Sequence, residues 1–139
     1  MKNFEGKTAI ITGAANGIGA EISRLYAQEG AKVVLADLAL EKAQEVADAI
    51  VKESGSETIA VKCNVASKEE VQNVVDICVE KFGKVDIIVN NAGIIKRQDA
   101  IEFTEENWDS VIQVNQKMVF FLSQAFAKQL MKQGEGGKI

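Results

Sequence analysis

The chain has 139 residues, of which 47% are hydrophobic, and its 16 Lys and Arg against 20 Asp and Glu give a net charge of −4. That length suits one domain, residues 1–139, and the hydrophobic fraction is typical of a folded globular protein rather than a disordered or fibrous one. The acidic balance argues against nucleic-acid or anionic-membrane partners, and no stretch approaches the ~20 apolar residues of a membrane span.

Histidine is absent, and the two cysteines, Cys63 and Cys78, lie fifteen positions apart. Because this set offers neither zinc-ligand spacing nor a disulfide framework, we expect no metal site. Unpaired cysteines, and an N-terminus without the apolar segment of a secretion signal, predict a cytoplasmic protein.

Strands and helices alternate along the sequence. Short runs of branched apolar residues predict four buried strands, at 8–12, 32–36, 58–62 and 85–89. Apolar residues repeat at helical spacing after each of the first three strands. They are Ile18, Ile22, Leu25 and Tyr26 in the first helix, Ala43, Val46, Ala47, Ile50 and Val51 in the second, and Val71, Val74, Val75, Cys78, Val79 and Phe82 in the third. The alternation predicts an α/β fold with a parallel sheet and helices on both faces.

The helices also carry signals about their ends and their surfaces. Ser67, three residues before Glu70, predicts a capping box at the start of the third helix. A fourth helix is predicted from 111 to 130, and it is apolar on two sides. One side comprises Val114, Met118, Phe121, Leu122 and Ala125, and the other Ile112, Val119, Phe126 and Leu130. Since only one side can cover the sheet, the second side predicts a homo-oligomer.

Three glycines, Gly13, Gly17 and Gly19, lie where the first strand passes into the first helix. Glycine permits a sharp turn and a close approach of backbone to ligand, and a helix N-terminus directs unpaired N–H groups at an anion. The turn is therefore a candidate pyrophosphate site. Its spacing, G-x-x-x-G-x-G, differs from G-x-G-x-x-G, and alone it fits a simple turn and helix cap equally well.

Asp37 follows the second strand directly, eighteen positions after Gly19. A carboxylate there can accept hydrogen bonds from the adenosine ribose hydroxyls and would repel a 2′-phosphate. Asn16 and Leu38, which flank the expected pocket, carry no positive charge, so the sequence predicts NAD rather than NADP. The alternative is that Asp37 only caps the second helix.

Four segments together resemble the short-chain dehydrogenase/reductase family in order and spacing: "TGAANGIG" (12–19), "CNV" (63–65), "NNAG" (90–93), and Asn115 within "VIQVNQKMVFF". The resemblance implies a Rossmann-type sheet of strand order 3-2-1-4 with NAD(H) across the carboxyl ends of its strands. The implied cofactor residues are Gly13, Asn16, Gly17, Ile18, Gly19, Asp37, Leu38, Asn64, Val65, Asn91, Ala92 and Gly93, with Asn64 and Val65 beside the adenine. Taken alone, "NNAG" also fits a turn that ends a strand.

Asn115 interrupts an apolar helix pattern. In the family, the residue at this place belongs to an Asn-Ser-Tyr-Lys catalytic set, whereas the alternative is a solvent-facing helix residue. The chain ends in "GEGGKI", where the family begins its fifth strand, and it holds no Tyr-x-x-x-Lys, because Gly30 stands four residues after Tyr26, the one tyrosine. Two functions stay open. One is the N-terminal part of an NAD-dependent oxidoreductase acting on a secondary alcohol or ketone, and the other is an inert NAD-binding or assembly module.

The segment from "NNAG" to Asn115 resembles more specifically the gluconate 5-dehydrogenase and 2-deoxy-gluconate 3-dehydrogenase branch, which implies a small-molecule substrate of the sugar-acid class. Lys96 and Arg97 follow "NNAG" and could attract a substrate carboxylate, or they could be solvated loop residues. A flavodoxin-like or receiver domain has the same alternation of strands and helices, but its chemistry does not call for Asp37.

Overall fold

The computed structural model describes residues 2–139 and contains one parallel sheet. Its strands are β1 (Thr8–Thr12), β2 (Lys32–Asp37), β3 (Thr58–Lys62) and β4 (Ile87–Val89), in the order β3-β2-β1-β4. Neighbouring strands all pair in parallel. The predicted α/β class, the Rossmann-type sheet and its strand order 3-2-1-4 are therefore confirmed.

The fourth strand is shorter than predicted at its start. Val85 makes its hydrogen bonds with a side chain instead of a strand: its N–H donates to Gln133 Oε1 and its carbonyl accepts from Gln133 Nε2, each at 3.0 Å. On the outer side of β4, Lys138 forms an isolated parallel bridge with Ile87. A fifth parallel strand was expected to begin at this place.

Residues 2–139 form five α-helices: α1 (Gly17–Gln28), α2 (Leu40–Ser54), α3 (Lys68–Phe82), α4 (Glu105–Ile112) and α5 (Met118–Gln133). A π-helical turn, Gln113–Lys117, separates α4 from α5. The segment predicted as one helix from 111 to 130 is therefore helical throughout, but the π-helical turn interrupts its α-helical geometry, and the helical segment is longer than predicted, from Glu105 to Gln133. A π-helical turn holds one more residue than an α-helical turn, and such turns occur often at functional sites.

Side chains that alternate along the strands build one core on each face of the sheet. Ile10, Val34 and Ile88 belong to the core that α3 and α5 cover, with Val74, Met118 and Phe126. Ile11, Val33 and Leu35 belong to the opposite core, with Ala27 of α1 and Ala47 and Ile50 of α2. Because the helices cover the two faces of the sheet, the carboxyl ends of the strands stay uncovered.

The apolar stripe predicted for the first helix is partly wrong, because Ile18 is 75% exposed and Leu25 is 51% exposed. The buried residues of α1 are small: Gly19, Ala20, Ser23 and Ala27. A face of small residues lets the helix lie close to the sheet, which leaves its larger side chains at the margin or in solvent. Val51, predicted on the stripe of the second helix, is also exposed.

The capping box predicted at the start of α3 is half confirmed. The Glu70 N–H donates to Ser67 Oγ at 3.3 Å. The Glu70 carboxylate, however, accepts from the Asn64 N–H at 2.6 Å and not from the Ser67 N–H. The Ser67 N–H is already bound to the Asn64 carbonyl within a turn, so the glutamate is free to bind the loop that follows β3.

Candidate cofactor site

A cleft of about 570 Å³ lies along the carboxyl ends of the strands. Of the predicted cofactor residues, all but Gly17 and Gly19 line it: Gly13, Asn16, Ile18, Asp37, Leu38, Asn64, Val65, Asn91, Ala92 and Gly93. Cys63, Ile94 and Val114 also line it, and the sequence reasoning did not assign them to the site. The fold thus brings together residues from four separate loops.

The glycine turn forms one wall of this cleft. Gly13 and Gly17 have φ of +66° and +53°, conformations that other residues rarely adopt. Gly19 has an ordinary backbone, but a Cβ there would collide with the Gly13 carbonyl oxygen and lie 2.6 Å from Asn91 Nδ2. Two glycines therefore shape the turn, and the third lets helix α1 approach the end of β1.

Asp37 connects the glycine turn to the second helix. Its Oδ2 accepts from the Ala15 N–H at 3.0 Å, and its Oδ1 accepts from the Ala39 N–H at 2.9 Å. The N-cap residue of α2 is Ala39, so Asp37 contacts the cap without occupying it. Each carboxylate oxygen has a further acceptor site, and the half-buried Asp37 can therefore also bind hydroxyl groups in the cleft.

The buried hydroxyl of Thr12 holds the floor of the cleft together. Thr12 Oγ1 accepts from the N–H groups of Asn91 and Ala92, at 3.2 and 3.1 Å, and donates to the Val89 carbonyl at 3.3 Å. The Asn91 amide in turn donates to the carbonyls of Thr12 and Gly13. Sequence reasoning missed this role of Thr12, although a polar residue ending a buried apolar strand was a detectable signal.

Replacing Thr12 by valine should lower the free energy of unfolding by about 2 kcal/mol, because the isosteric side chain leaves two partly buried N–H groups without their acceptor. Urea denaturation measures this change. Thr12→Ser keeps the hydroxyl and should recover at least half of the loss. Equal stabilities of the valine and serine variants would contradict the role of the hydroxyl.

The loop after β3 forms the other end of the cleft. Asn64 Oδ1 accepts from the Ala66 N–H at 3.0 Å, which closes a local turn. Burial, together with the smaller effect of the Glu70 and Asp37 carboxylates, raises the pKa of the neighbouring Cys63 thiol to about 11. Cys63 is therefore a neutral thiol at pH 7. The same two carboxylates give this end of the cleft a negative character.

Asn115 lies in the π-helical turn and binds the backbone beyond the floor of the cleft. Its Oδ1 accepts from the Ile94 N–H and its Nδ2 donates to the Ile94 carbonyl, both at 2.8 Å. Asn115 is exposed, as a solvent-facing helix residue would be, but its side chain also holds the segment after Gly93 through this reciprocal pair. Asn115 and Lys96 line a second cleft of about 370 Å³, with Ile94 shared by both clefts. Arg97 is exposed and lines neither of them.

Within residues 2–139 no group of three or more His, Cys, Asp and Glu could hold a metal ion. Across the same residues, none of the helices has both the length and the apolar character to cross a membrane. Tyr26 is half-buried and packs against Phe4, with ring centroids 4.6 Å apart, beside the core that α1 and α2 cover.

Comparisons with known proteins agree with this geometry. The family model of short chain dehydrogenases matches residues 7–139. The 2-dehydro-3-deoxy-D-gluconate 5-dehydrogenase of Dickeya dadantii is 42% identical over 138 residues, which are 99% of this chain and 53% of that protein. The D-threitol dehydrogenase of Mycolicibacterium smegmatis is 36% identical over 133 residues, covering 96% of this chain and 51% of that protein.

A crystal structure of a short-chain type dehydrogenase/reductase from Mycobacterium marinum superposes with a TM-score of 0.92 at 34% identity, covering 96% of this chain and 54% of that one. The chain spans about half the length of the curated relatives it matches. The similarity to a sugar-acid dehydrogenase also agrees with the branch indicated by the segment from "NNAG" to Asn115. With the family model, the strand order and the motif residues in agreement, the chain belongs to the short chain dehydrogenase family.

Proposed function

We propose that the cleft binds NAD(H) and that this chain forms the cofactor half of an oxidoreductase. The observation that carries the proposal is the meeting of the glycine turn, Asp37 and the Asn91–Gly93 floor in one cleft. In open parallel sheets, ligands bind outside the carboxyl ends of the strands, where the strand order reverses. Here that point lies at β1, which has β2 on one side and β4 on the other.

The residues present fit a dinucleotide. Helix α1 begins at Gly17, so its first N–H groups have no partner within the helix and carry the positive end of the helix dipole. A Cβ on Gly17 would meet nothing within 4 Å, so the turn is open on the side where an anion would approach. Gly13, Asn16, Gly17, Ile18 and Gly19 would hold the pyrophosphate.

The other cofactor residues would divide between the two ends of the dinucleotide. Asp37 and Leu38 would face the adenosine ribose, and Asn64 and Val65 would border the adenine. Asn91, Ala92 and Gly93 would support the nicotinamide end. We propose NAD rather than NADP as the cofactor. Among residues 2–139, no Lys or Arg lines the cleft to pair with the 2′-phosphate of NADP, whereas the Asp37 carboxylate lines it and would repel that phosphate.

The proposed reaction is hydride transfer between a secondary alcohol or ketone and the nicotinamide, which supplies the hydride acceptor or donor when bound. Asn115 would fix the backbone at Ile94 between the two clefts, and Lys96 would face a substrate carboxylate in the second cleft. Arg97 would act only by attracting an anionic substrate from solvent. The name of the Dickeya dadantii relative supports a sugar acid as the substrate class.

Titration calorimetry tests the binding step. The purified chain should bind NADH, and ADP-ribose should compete with it because both carry the adenosine pyrophosphate that the glycine turn would hold. Adenosine, which lacks the pyrophosphate, is the matched control and should compete poorly. A folded chain of verified mass that binds none of these ligands would overturn the proposal.

The inert binding or assembly module remains the second candidate function. It is favoured by the position of Tyr26, which is half-buried against the core and lines neither cleft. The 139 residues should therefore bind NADH without oxidising gluconate-type substrates, as followed by NADH absorbance. Turnover by the chain of verified mass would refute the assignment and would direct attention to Lys96 and the carboxylates as acid or base.

We also propose that the protein is cytoplasmic and a homo-oligomer. Helix α5 buries Met118, Leu122 and Phe126 in one row, so the predicted sorting of these residues onto two sides is wrong. Phe120 of α5 is nevertheless 63% exposed, and Trp108 of α4 is also exposed, which favours pairing. Light scattering should give a mass above that of one chain, and Phe120→Asp should lower it. A monomer at micromolar concentration would contradict the proposal.

A further inference from the structure

We infer that Asn16 is a site of spontaneous deamidation and that this modification turns the cofactor cleft off. The chain contains eight asparagines, and Asn16 is the one that glycine follows. A following glycine offers no side chain to hinder attack by its backbone nitrogen. Valine after Asn73, and tryptophan after Asn107, leave much less room for the same attack.

The local structure leaves the Asn16 side chain free to react. Asn16 is exposed and precedes α1 as its N-cap residue, but its side chain makes no capping hydrogen bond. Other asparagine amides are held by partners: that of Asn91 by Thr12 and Gly13, and that of Asn115 by Ile94. Asn3, Asn64, Asn90 and Asn107 are held similarly.

The attacking nitrogen is also accessible. Gly17 is the first residue of α1, so its N–H has no partner within the helix, and a Cβ added there would contact nothing within 4 Å. The positive end of the helix dipole stabilises the negative charge that this nitrogen gains when it loses its proton. Both effects favour reaction at Asn16.

The chemistry needs only water. The Gly17 nitrogen loses its proton and bonds to Asn16 Cγ, the Cγ–Nδ2 bond breaks, and the amide leaves as ammonia after gaining a proton. The resulting five-membered imide takes up one water, which breaks one of its two carbonyl carbon–nitrogen bonds. Cleavage at Cγ gives aspartate, and cleavage at the main-chain carbonyl gives isoaspartate. Nothing is oxidised or reduced.

The product changes the cleft in a defined way. The aspartate product is a good N-cap for α1 and should not destabilise the helix, whereas the isoaspartate product lengthens the backbone by one carbon at the glycine turn. Either product places a negative charge in the wall that lines the cleft, beside the glycine turn. The consequence for binding rests on the proposed function: this charge would repel the cofactor pyrophosphate. A bound cofactor would in turn shield Asn16 from reaction.

The test incubates the purified chain at mildly alkaline pH with and without saturating NADH and locates modified residues by peptide mass spectrometry. Without NADH, Asn16 should lose its amide before the other seven asparagines. With NADH bound, Asn16 should lose its amide several-fold more slowly. Asn73, which is exposed but followed by valine, is the internal control. Modification of Asn73 at the rate of Asn16 would overturn the assignment of the site.

Two variants separate modification from its consequence. Asn16→Asp should weaken NADH binding by about tenfold or more, through charge repulsion, while Asn73→Asp should leave it unchanged. Asn16→Gln should retain its own starting affinity throughout the incubation, because a six-membered imide forms slowly. Full affinity in Asn16→Asp would overturn the consequence. If the fresh chain binds no NADH, the proposed function fails, while the mass measurement still decides whether Asn16 is the reactive site.

Discussion

Replacing Gly19 by alanine should abolish cofactor binding and lower the free energy of unfolding by about 3 kcal/mol. The added Cβ would overlap the Gly13 carbonyl oxygen and crowd Asn91 Nδ2. Both contacts belong to the walls of the cleft, and the carbonyl is backbone that cannot rotate away. Helix α1 must therefore move off the end of β1, which displaces the N–H groups proposed to hold the pyrophosphate.

Two other glycines provide matched controls for Gly19→Ala. Gly17→Ala adds a Cβ into open space but strains a φ of +53°, so it should cost about 1 kcal/mol. Gly136→Ala has open space and no positive φ, and its stability should stay within about 0.5 kcal/mol of the original. Urea denaturation ranks the three glycine variants by stability, and NADH titration ranks them by cofactor affinity. A Gly19→Ala protein as stable as Gly136→Ala would show that the fold does not require the close approach of α1 to the end of β1.

The chain should bind NADH about a hundredfold more tightly than NADPH, and Asp37→Asn should reduce that ratio below about tenfold. A 2′-phosphate charge ~5 Å from the carboxylate meets repulsion of roughly 3 kcal/mol at an effective dielectric near 20, and each 1.4 kcal/mol is a factor of ten. Asparagine removes the charge but keeps one oxygen acceptor for the backbone donors now bound by Asp37.

The ratio of the two affinities is the useful measurement for Asp37→Asn, because loss of one backbone hydrogen bond should weaken both cofactors alike. Calorimetric titrations with NADH and NADPH provide it. Asp48→Asn, on the exposed surface of α2, is the charge-matched control and should leave the ratio unchanged. Equal affinities in the original protein would show that Asp37 does not discriminate at the ribose.

Much of the fold could be predicted from the sequence because its causes are local. Strands buried on both faces need continuous branched apolar runs, and those runs occur at β1, β2 and β3 with boundaries correct to within one residue. The glycine turn depends on φ values that few other residues tolerate, so the glycines could be located without a structure. The resemblance of the motifs to the short-chain dehydrogenase/reductase family then implied the strand order and most of the residues lining the cleft.

Only the tertiary structure decided the contacts between segments distant in sequence. Thr12 meets Asn91 across 79 positions, and Ile94 meets Asn115 across 21, so no local pattern indicates either contact. The π-helical turn could not be predicted either, because its extra residue lies in an apolar pattern that is typical of one continuous helix. The buried face of α1 was likewise decided by its distance from the sheet, which favours small residues over large ones. Periodicity shows which residues are apolar, but packing determines which of them are covered.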